Sequence, residues 1–314
     1  MEAYGRARCL FRQGHLQDSS GYHRPTSAIT AIGCLLIQKF VQRLILRKFR
    51  APRLAHKRTP ASLGLKAEVV HIDAADGGNL FGWWIPAALN ARIENAPTVI
   101  VLHGWGANAS LMLDIAPWIQ GLGFHGLFID ARCHGLSSEA DFTSMPRFAE
   151  DLESARAWAM ARGDVDPLQV LAIGHSVGAG AVLLSASRSS WAGVISLSAF
   201  AHPEDMMLRF MNEHRIPKRW VQPWVMRQVQ GVIGARFDEI APENTIRKVQ
   251  CPVLLIHGAD DHDVPVTEAS RLMAKAPYGS LTRVIPGVGH DLRPAMPLIG
   301  PYAIDFMRTL FCDN

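Results

Sequence analysis

Ser176 stands at the centre of Gly174-His175-Ser176-Val177-Gly178, and His290 closes a second glycine loop, Gly287-Val288-Gly289-His290. Between them runs an acidic loop, His257-Gly258-Ala259-Asp260-Asp261-His262-Asp263-Val264-Pro265. A serine hydroxyl is a poor nucleophile at neutral pH. It needs a base, a carboxylate to orient that base, and donors for the oxyanion that attack creates. Serine, acid and histidine follow one another here in an order that can supply the nucleophile, the carboxylate and the base, with Asp260, Asp261 and Asp263 all candidates for the acid. Backbone N–H groups can supply the donors. Val177 follows the serine directly, and Trp105 sits in a glycine-flanked loop, His103-Gly104-Trp105-Gly106. The chemistry implied is acyl transfer through a covalent serine intermediate.

These residues must be held at the ends of regular elements. Val170-Leu171-Ala172-Ile173 is a buried-strand pattern, and a small-residue helical pattern, Ala179 to Ser187, follows Ser176. Strand, abrupt turn and helix then hold the hydroxyl out above a sheet. Residues two before and two after it must be nearly side-chain-free, hence Gly174 and Gly178. The loop at 103–106 follows a buried strand, Thr98–Leu102, and the acidic loop follows another, Pro252–His257. Leu281–Ile285 is the strand before His290.

Elsewhere, Glu68–Ile72 and Leu80–Ile85 flank the turn signal Asp76-Gly77-Gly78-Asn79, which predicts an antiparallel hairpin. Strands at His125–Ile129 and Gly193–Ser198 alternate with helices at Ala109–Gly121, Met145–Arg162, Glu268–Ala276 and Met296–Phe311. In the second of these, Arg147, Glu150, Asp151 and Glu153 are placed on the wet side. Strands joined through helices imply an α/β fold, a mostly parallel sheet with helices on both faces. Residues 201–247 break the alternation. They lack a good strand and are rich in Met and Trp (Met206, Met207, Met211, Trp220, Trp224, Met226), which predicts a helical cap over the strand ends.

The N-terminal part differs in charge. Residues 1–66 carry 13 Lys/Arg against 2 Asp/Glu, a net of +11, and the remaining residues 19 against 26, a net of −7. Apolar residues from Ile29 to Ile45 fall on one helical face beside Arg47, Lys48 and Arg50. The interval is short for a span of about 20 apolar residues. We read it as an interfacial anchor on an anionic membrane, the alternative being a helix packed on the body. Residues 1–60, with Pro52–Pro60 as a linker, are thus expected to be an extension that can be deleted to leave an active catalytic domain at 61–314. Five scattered cysteines without a C-x-x-C fit a reducing compartment, so the expected location is cytoplasmic, at the inner face of the membrane.

The ordered motifs resemble those of α/β-hydrolase fold enzymes over roughly residues 66–313: H-G-W-G at 103–106, G-H-S-V-G at 174–178, H-G-x-x-D-x-x-V-P at 257–265 and G-x-G-H at 287–290. The resemblance selects Asp261 as the acid and implies a triad of Ser176, Asp261 and His290, with Trp105 and Val177 as oxyanion donors. It also implies D-x-R-G-H-G-x-S after the second central strand; residues 130–137 match except that Cys133 replaces the first glycine. A serine nucleophile leaves ester or thioester hydrolysis, peptide hydrolysis or acyl transfer. Peptidases of this fold often carry a β-propeller, for which 65 residues are too few. The expectation is a serine carboxylic-ester hydrolase acting on a small ester or acyl substrate. Alternatives are a thioesterase, an acyltransferase, or an inactive binding protein of the same fold. No phosphate loop, dinucleotide fingerprint or H-E-x-x-H occurs, so no cofactor or metal is expected. The body lacks the basic-aromatic pattern of a nucleic-acid binder.

Overall fold

The computed structural model describes residues 50–88 and 95–311, together with helical positions 39, 42, 43, 46 and 47. The anchor expected over 29–45 therefore lies almost wholly outside the described residues. Among those described, no helix is long and apolar enough to cross a membrane.

Eight strands form one sheet: β1 (Glu68–Asp73), β2 (Asn79–Ile85), β3 (Ala96–Leu102), β4 (His125–Ile129), β5 (Val165–His175), β6 (Gly193–Leu197), β7 (Val253–Gly258) and β8 (Leu281–Ile285). Their order is β1-β2-β4-β3-β5-β6-β7-β8. β1 and β2 form the predicted antiparallel hairpin, β2 pairs antiparallel with β4, and the other six run parallel. Parallel strands need crossovers, supplied by α1 (Ala116–Gly121), α2 (Met145–Met160), α3 (Val177–Ala186) and α6 (Thr267–Met273), with α7 (Met296–Phe311) closing the chain. The cap holds α4 (Pro203–Glu213), α5 (Val221–Ile233) and two four-residue turns, Phe237–Ile240 and Pro242–Thr245.

Because side chains alternate across a strand, each central strand feeds two cores. Ile100, Leu102, Val170, Ala172, Val253 and Leu255 join one cluster with α2 and α3. Val99, Val101, Leu171, Ile173, Leu254 and Ile256 join another with α1 and α7. Burial on both faces explains why these strands read as continuous apolar runs. It also leaves the carboxyl ends of β3, β5, β7 and β8 as the places where loops can present polar groups on one side of the sheet.

Three expectations need correction. Residues 109–121 are not one helix: a 3₁₀ segment over Ala109–Ile115, capped by Asn108 accepting from Ser110 N–H, gives way to α1. Pro117, which has no N–H to give, lies at that junction. Asp151 is not on a wet face. It is fully buried, and the Arg132 main-chain N–H and Nε both reach it at 2.7 Å. A buried charge is tolerated when paired in this way, and the partner lies across the β4 loop, out of reach of helical periodicity.

Residues 52–60 are not a free linker. Arg53 donates to the Ser137 carbonyl, His56 to Asp130, and Arg58 to Asp114, while Asn108 donates to the Leu54 carbonyl. This strap belongs to the body of the fold, so deletion to residue 60 removes part of it. The helix after Pro265, α6, has Val266 as its N-cap residue, and Asp263 is exposed.

Candidate active site

Ser176 follows β5 directly and has φ 55° and ψ −116°, a left-handed conformation that costs a residue with a Cβ. Its surroundings enforce the turn: Ser176 N–H donates to Leu197 O at 2.8 Å, and its carbonyl accepts from Gly180 N–H at 3.1 Å. The two flanking glycines are required by close approach. A Cβ on Gly174 would overlap the Gly178 carbonyl, and one on Gly178 would overlap the carbonyl of His103.

The loops after β7 and β8 bring the other two residues to the serine. His290 Nε2 lies 3.0 Å from Ser176 Oγ, and His290 Nδ1 lies 2.8 Å from Asp261 Oδ2. The histidine can therefore accept from the hydroxyl through Nε2 while donating to the carboxylate through Nδ1. Asp261 is buried, whereas Asp260 and Asp263 are exposed. Burial alone would raise the Asp261 carboxyl. Hydrogen bonds from His257, His290 and Val264 N–H outweigh it and hold the group well below the usual carboxylate range. His257 Nε2 donates to the Val264 carbonyl at 2.7 Å and lies 3.4 Å from Asp261 Oδ2. It thus braces the turn on which the acid sits.

The 103–106 loop also approaches Ser176. A Cβ on Gly104 would stand 3.1 Å from the Ser176 Cβ, so this backbone passes against the serine. Val177 is the first residue of α3, where an N–H has no acceptor within its own helix. Two buried imidazoles anchor the 103–106 loop to the loop after β4. Ala131 N–H donates to His103 Nε2 and Gly106 N–H to His134 Nε2, each at 3.0 Å. The remaining ring nitrogens then carry the protons, His103 Nδ1 donating to Gly104 O at 2.7 Å and His134 Nδ1 to Arg132 O at 3.0 Å. Both rings are neutral in this arrangement. Cys133 takes the φ of 64° that the missing glycine would have, and its Sγ accepts from Ala140 N–H at 3.3 Å. The loop keeps its turn despite the substitution. Gly135 is indispensable, since any Cβ there would run into the Asp130 carboxylate.

Sequence reasoning gave His175 a place in the turn but no task. Its Nε2 donates to the His290 carbonyl at 3.0 Å, which steadies the loop carrying the base. The supporting roles of His257, His103, His134 and His56 were equally out of reach, because each partner is distant in sequence or is a backbone atom.

These histidines set an expected acid sensitivity. Burial, with the neighbouring His134 imidazole as the next cause, pushes His103 down to about 4 from 6.5, and burial beside His290 pushes His175 to about 4. Folded values lie below the unfolded one, so the unfolded chain binds protons first as pH falls. Stability is then complete above about pH 6.5 and is lost as pH falls toward 4. One histidine such as His103 costs about 2 kcal/mol between pH 7 and pH 5. Urea midpoints at those two pH values measure the effect, and an unchanged midpoint would contradict it.

A cavity of about 680 Å³ opens beside Ser176 and Val177. Trp105, Phe142, Met145 and Phe200 line it from the body, and Met206, Met207, Val229 and Ile233 from the cap. Leu46, Arg47 and Arg50 reach it from the N-terminal side. Of the other cap residues singled out by composition, Met211 and Met226 are buried, while Trp220 and Trp224 are exposed. The cap is tied to α6 by ion pairs, Arg209 with Glu268 and Arg271 with Asp205.

A family model described as serine aminopeptidase, S33, matches residues 94–242. The uncharacterized protein Rv2307c of Mycobacterium tuberculosis is 27% identical over 246 residues, covering 78% of this chain and 79% of that one. Among solved structures, the Pyrococcus furiosus esterase Pf2001 superposes with a TM-score of 0.66 at 21% identity, covering 83% of this chain and 97% of the other. Est1E from Butyrivibrio proteoclasticus, with ferulic acid bound, gives 0.62 at 19%, covering 78% and 100%.

Proposed function

We propose that the chain, which has the fold of the α/β-hydrolases, belongs to that superfamily and is a serine hydrolase cleaving carboxylic esters. The observation that carries the reading is the continuous chain of contacts from Ser176 Oγ through His290 to a buried Asp261. Ser176 attacks the acyl carbon as its proton passes to His290 Nε2. The imidazolium so formed is stabilised by Asp261, whose bond to Nδ1 also fixes the tautomer. Trp105 and Val177 N–H groups receive the tetrahedral oxyanion. His290 returns the proton to the leaving alkoxide, and the acyl group stays on Ser176. Water, deprotonated by the same histidine, attacks the acyl-enzyme and releases the acid.

The apolar cavity supports an acyl ester over a charged substrate. If the acyl chain lies there, kcat/KM should rise about threefold to fourfold for each methylene until the space is filled, because burying one is worth about 0.8 kcal/mol. A series of p-nitrophenyl esters from acetate to laurate tests this, and a flat or falling series would place the chain elsewhere. Amide hydrolysis is a second reading, favoured by the S33 match. Aminoacyl p-nitroanilides separate the two: turnover of these above the best ester would favour it. Cytoplasmic residence, proposed with the ester reading, accords with the free thiols of Cys133 and Cys251.

A further inference from the structure

The first turn of α5 presents an apolar face to solvent. Trp220 is 74% exposed, Trp224 43% and Val221 37%. Their spacing places them together on one side of the helix start. Among all eight tryptophans of the chain these two are the most exposed. Basic residues flank them along the chain. Arg215, Lys218, Arg219 and Arg227 are exposed, and no Asp or Glu occurs from residue 214 to 237. The Arg219 guanidinium lies 5.0 Å from the centre of the Trp220 ring. The rest of the body downstream of residue 66 is net acidic, so this cationic surface is local.

We infer that this face of the cap docks on an anionic lipid bilayer. Tryptophan, with an apolar ring and one N–H, suits the headgroup boundary, and clustered Lys and Arg supply attraction to acidic headgroups. Nothing in the packing of α5 asks for two exposed indoles: its other face already buries Gln222, Met226 and Val229. The same helix lines the cavity beside Ser176 with Val229, Val232 and Ile233. A bilayer held at the first turn therefore lies roughly 10–15 Å along the helix axis from the cavity wall. The surface is distinct from the basic extension at 1–60, and its docking does not depend on the ester reading. Where the two meet, the substrates would be acyl esters resident in a membrane.

The test uses the full-length protein and phosphatidylcholine vesicles with brominated acyl chains, prepared with and without phosphatidylglycerol. Bromine quenches indoles that reach the acyl region. Quenching is expected with the anionic vesicles, to fall as salt is raised, and to be largely lost in the Trp220→Phe/Trp224→Phe double variant. Lys218→Gln/Arg219→Gln should weaken binding to these vesicles about 25-fold, taking roughly fivefold for each charge. Hydrolysis of p-nitrophenyl acetate, which is soluble, should be unchanged in all these variants. Three results would overturn the inference. One is quenching that survives the Phe substitutions. Another is equal binding to neutral and anionic vesicles. The third is sedimentation showing that Trp220→Ser/Trp224→Ser turns a dimer into a monomer with vesicle binding intact, which would make the face a contact between copies. Loss of ester turnover with quenching intact would instead strike at the hydrolase reading alone.

Discussion

Ser176→Ala is expected to lower kcat for ester hydrolysis by a factor on the order of 10⁶ and to abolish labelling by a fluorophosphonate. Alanine removes only the oxygen, and the backbone bonds that hold the turn, from Ser176 N–H to Leu197 O and from Gly180 N–H to Ser176 O, remain. The fold should therefore survive, and circular dichroism should match the parent. Activity that remains would come from binding and from the oxyanion donors, which act without a nucleophile. Wild-type labelling by the alanine variant would refute the mechanism. It would also leave the strained φ of Ser176 without a chemical reason.

The second large effect separates three neighbouring acids. Asp261→Asn keeps the size of the side chain but removes the charge that faces His290 Nδ1 at 2.8 Å. By analogy with the serine-protease aspartate, kcat/KM on one p-nitrophenyl ester should fall on the order of 10⁴. Asp260→Asn and Asp263→Asn, both exposed, should change it by less than about tenfold, or roughly 1.4 kcal/mol of barrier. The Asp261 variant should also lose some stability. Its Oδ1 accepts from Val264 N–H, and an asparagine that turns its amide toward that N–H leaves both donors facing each other. A folded Asp261→Asn enzyme with near wild-type turnover would remove Asp261 from the mechanism and leave Ser176 and His290 in place.

The meeting of Ser176, Asp261 and His290 was legible because these residues sit where secondary structure changes. An apolar run stopped by glycines marks the end of a strand whatever the rest of the chain does. Ser176, Asp261 and His290 each follow such a run. Two-sided burial gave the sheet its continuous apolar segments, so the strands could be found from composition alone. What stayed hidden depends on contacts across the sequence. Asp151 shows the polar type of a solvated helix face, and only Arg132, held on another loop, makes its burial tolerable. The neutral states of His103 and His134 follow from backbone donors on each other's loops. Helical spacing put the cap's Met and Trp residues on a helix without telling inside from outside. Met226 turned inward and Trp224, two residues earlier, outward.

The strap and Arg50 just before it bear on the order of events during folding. Their contacts reach 52 to 89 residues ahead in the chain, from Arg58 to Ser110 and from Arg50 to Glu139. This segment leaves the ribosome before its partners, and it has nowhere to settle until β3, β4 and the loop after β4 have been made and paired. Closing such long loops costs entropy that only an assembled surface can repay. The strap is consequently a late arrival. His56 reaches Asp130, and Pro52 packs under Gly106 beside the 103–106 backbone. Recovery of sheet structure and recovery of a finished 103–106 loop are therefore separate stages of refolding, and a chain that has regained the first still awaits the docking of its strap.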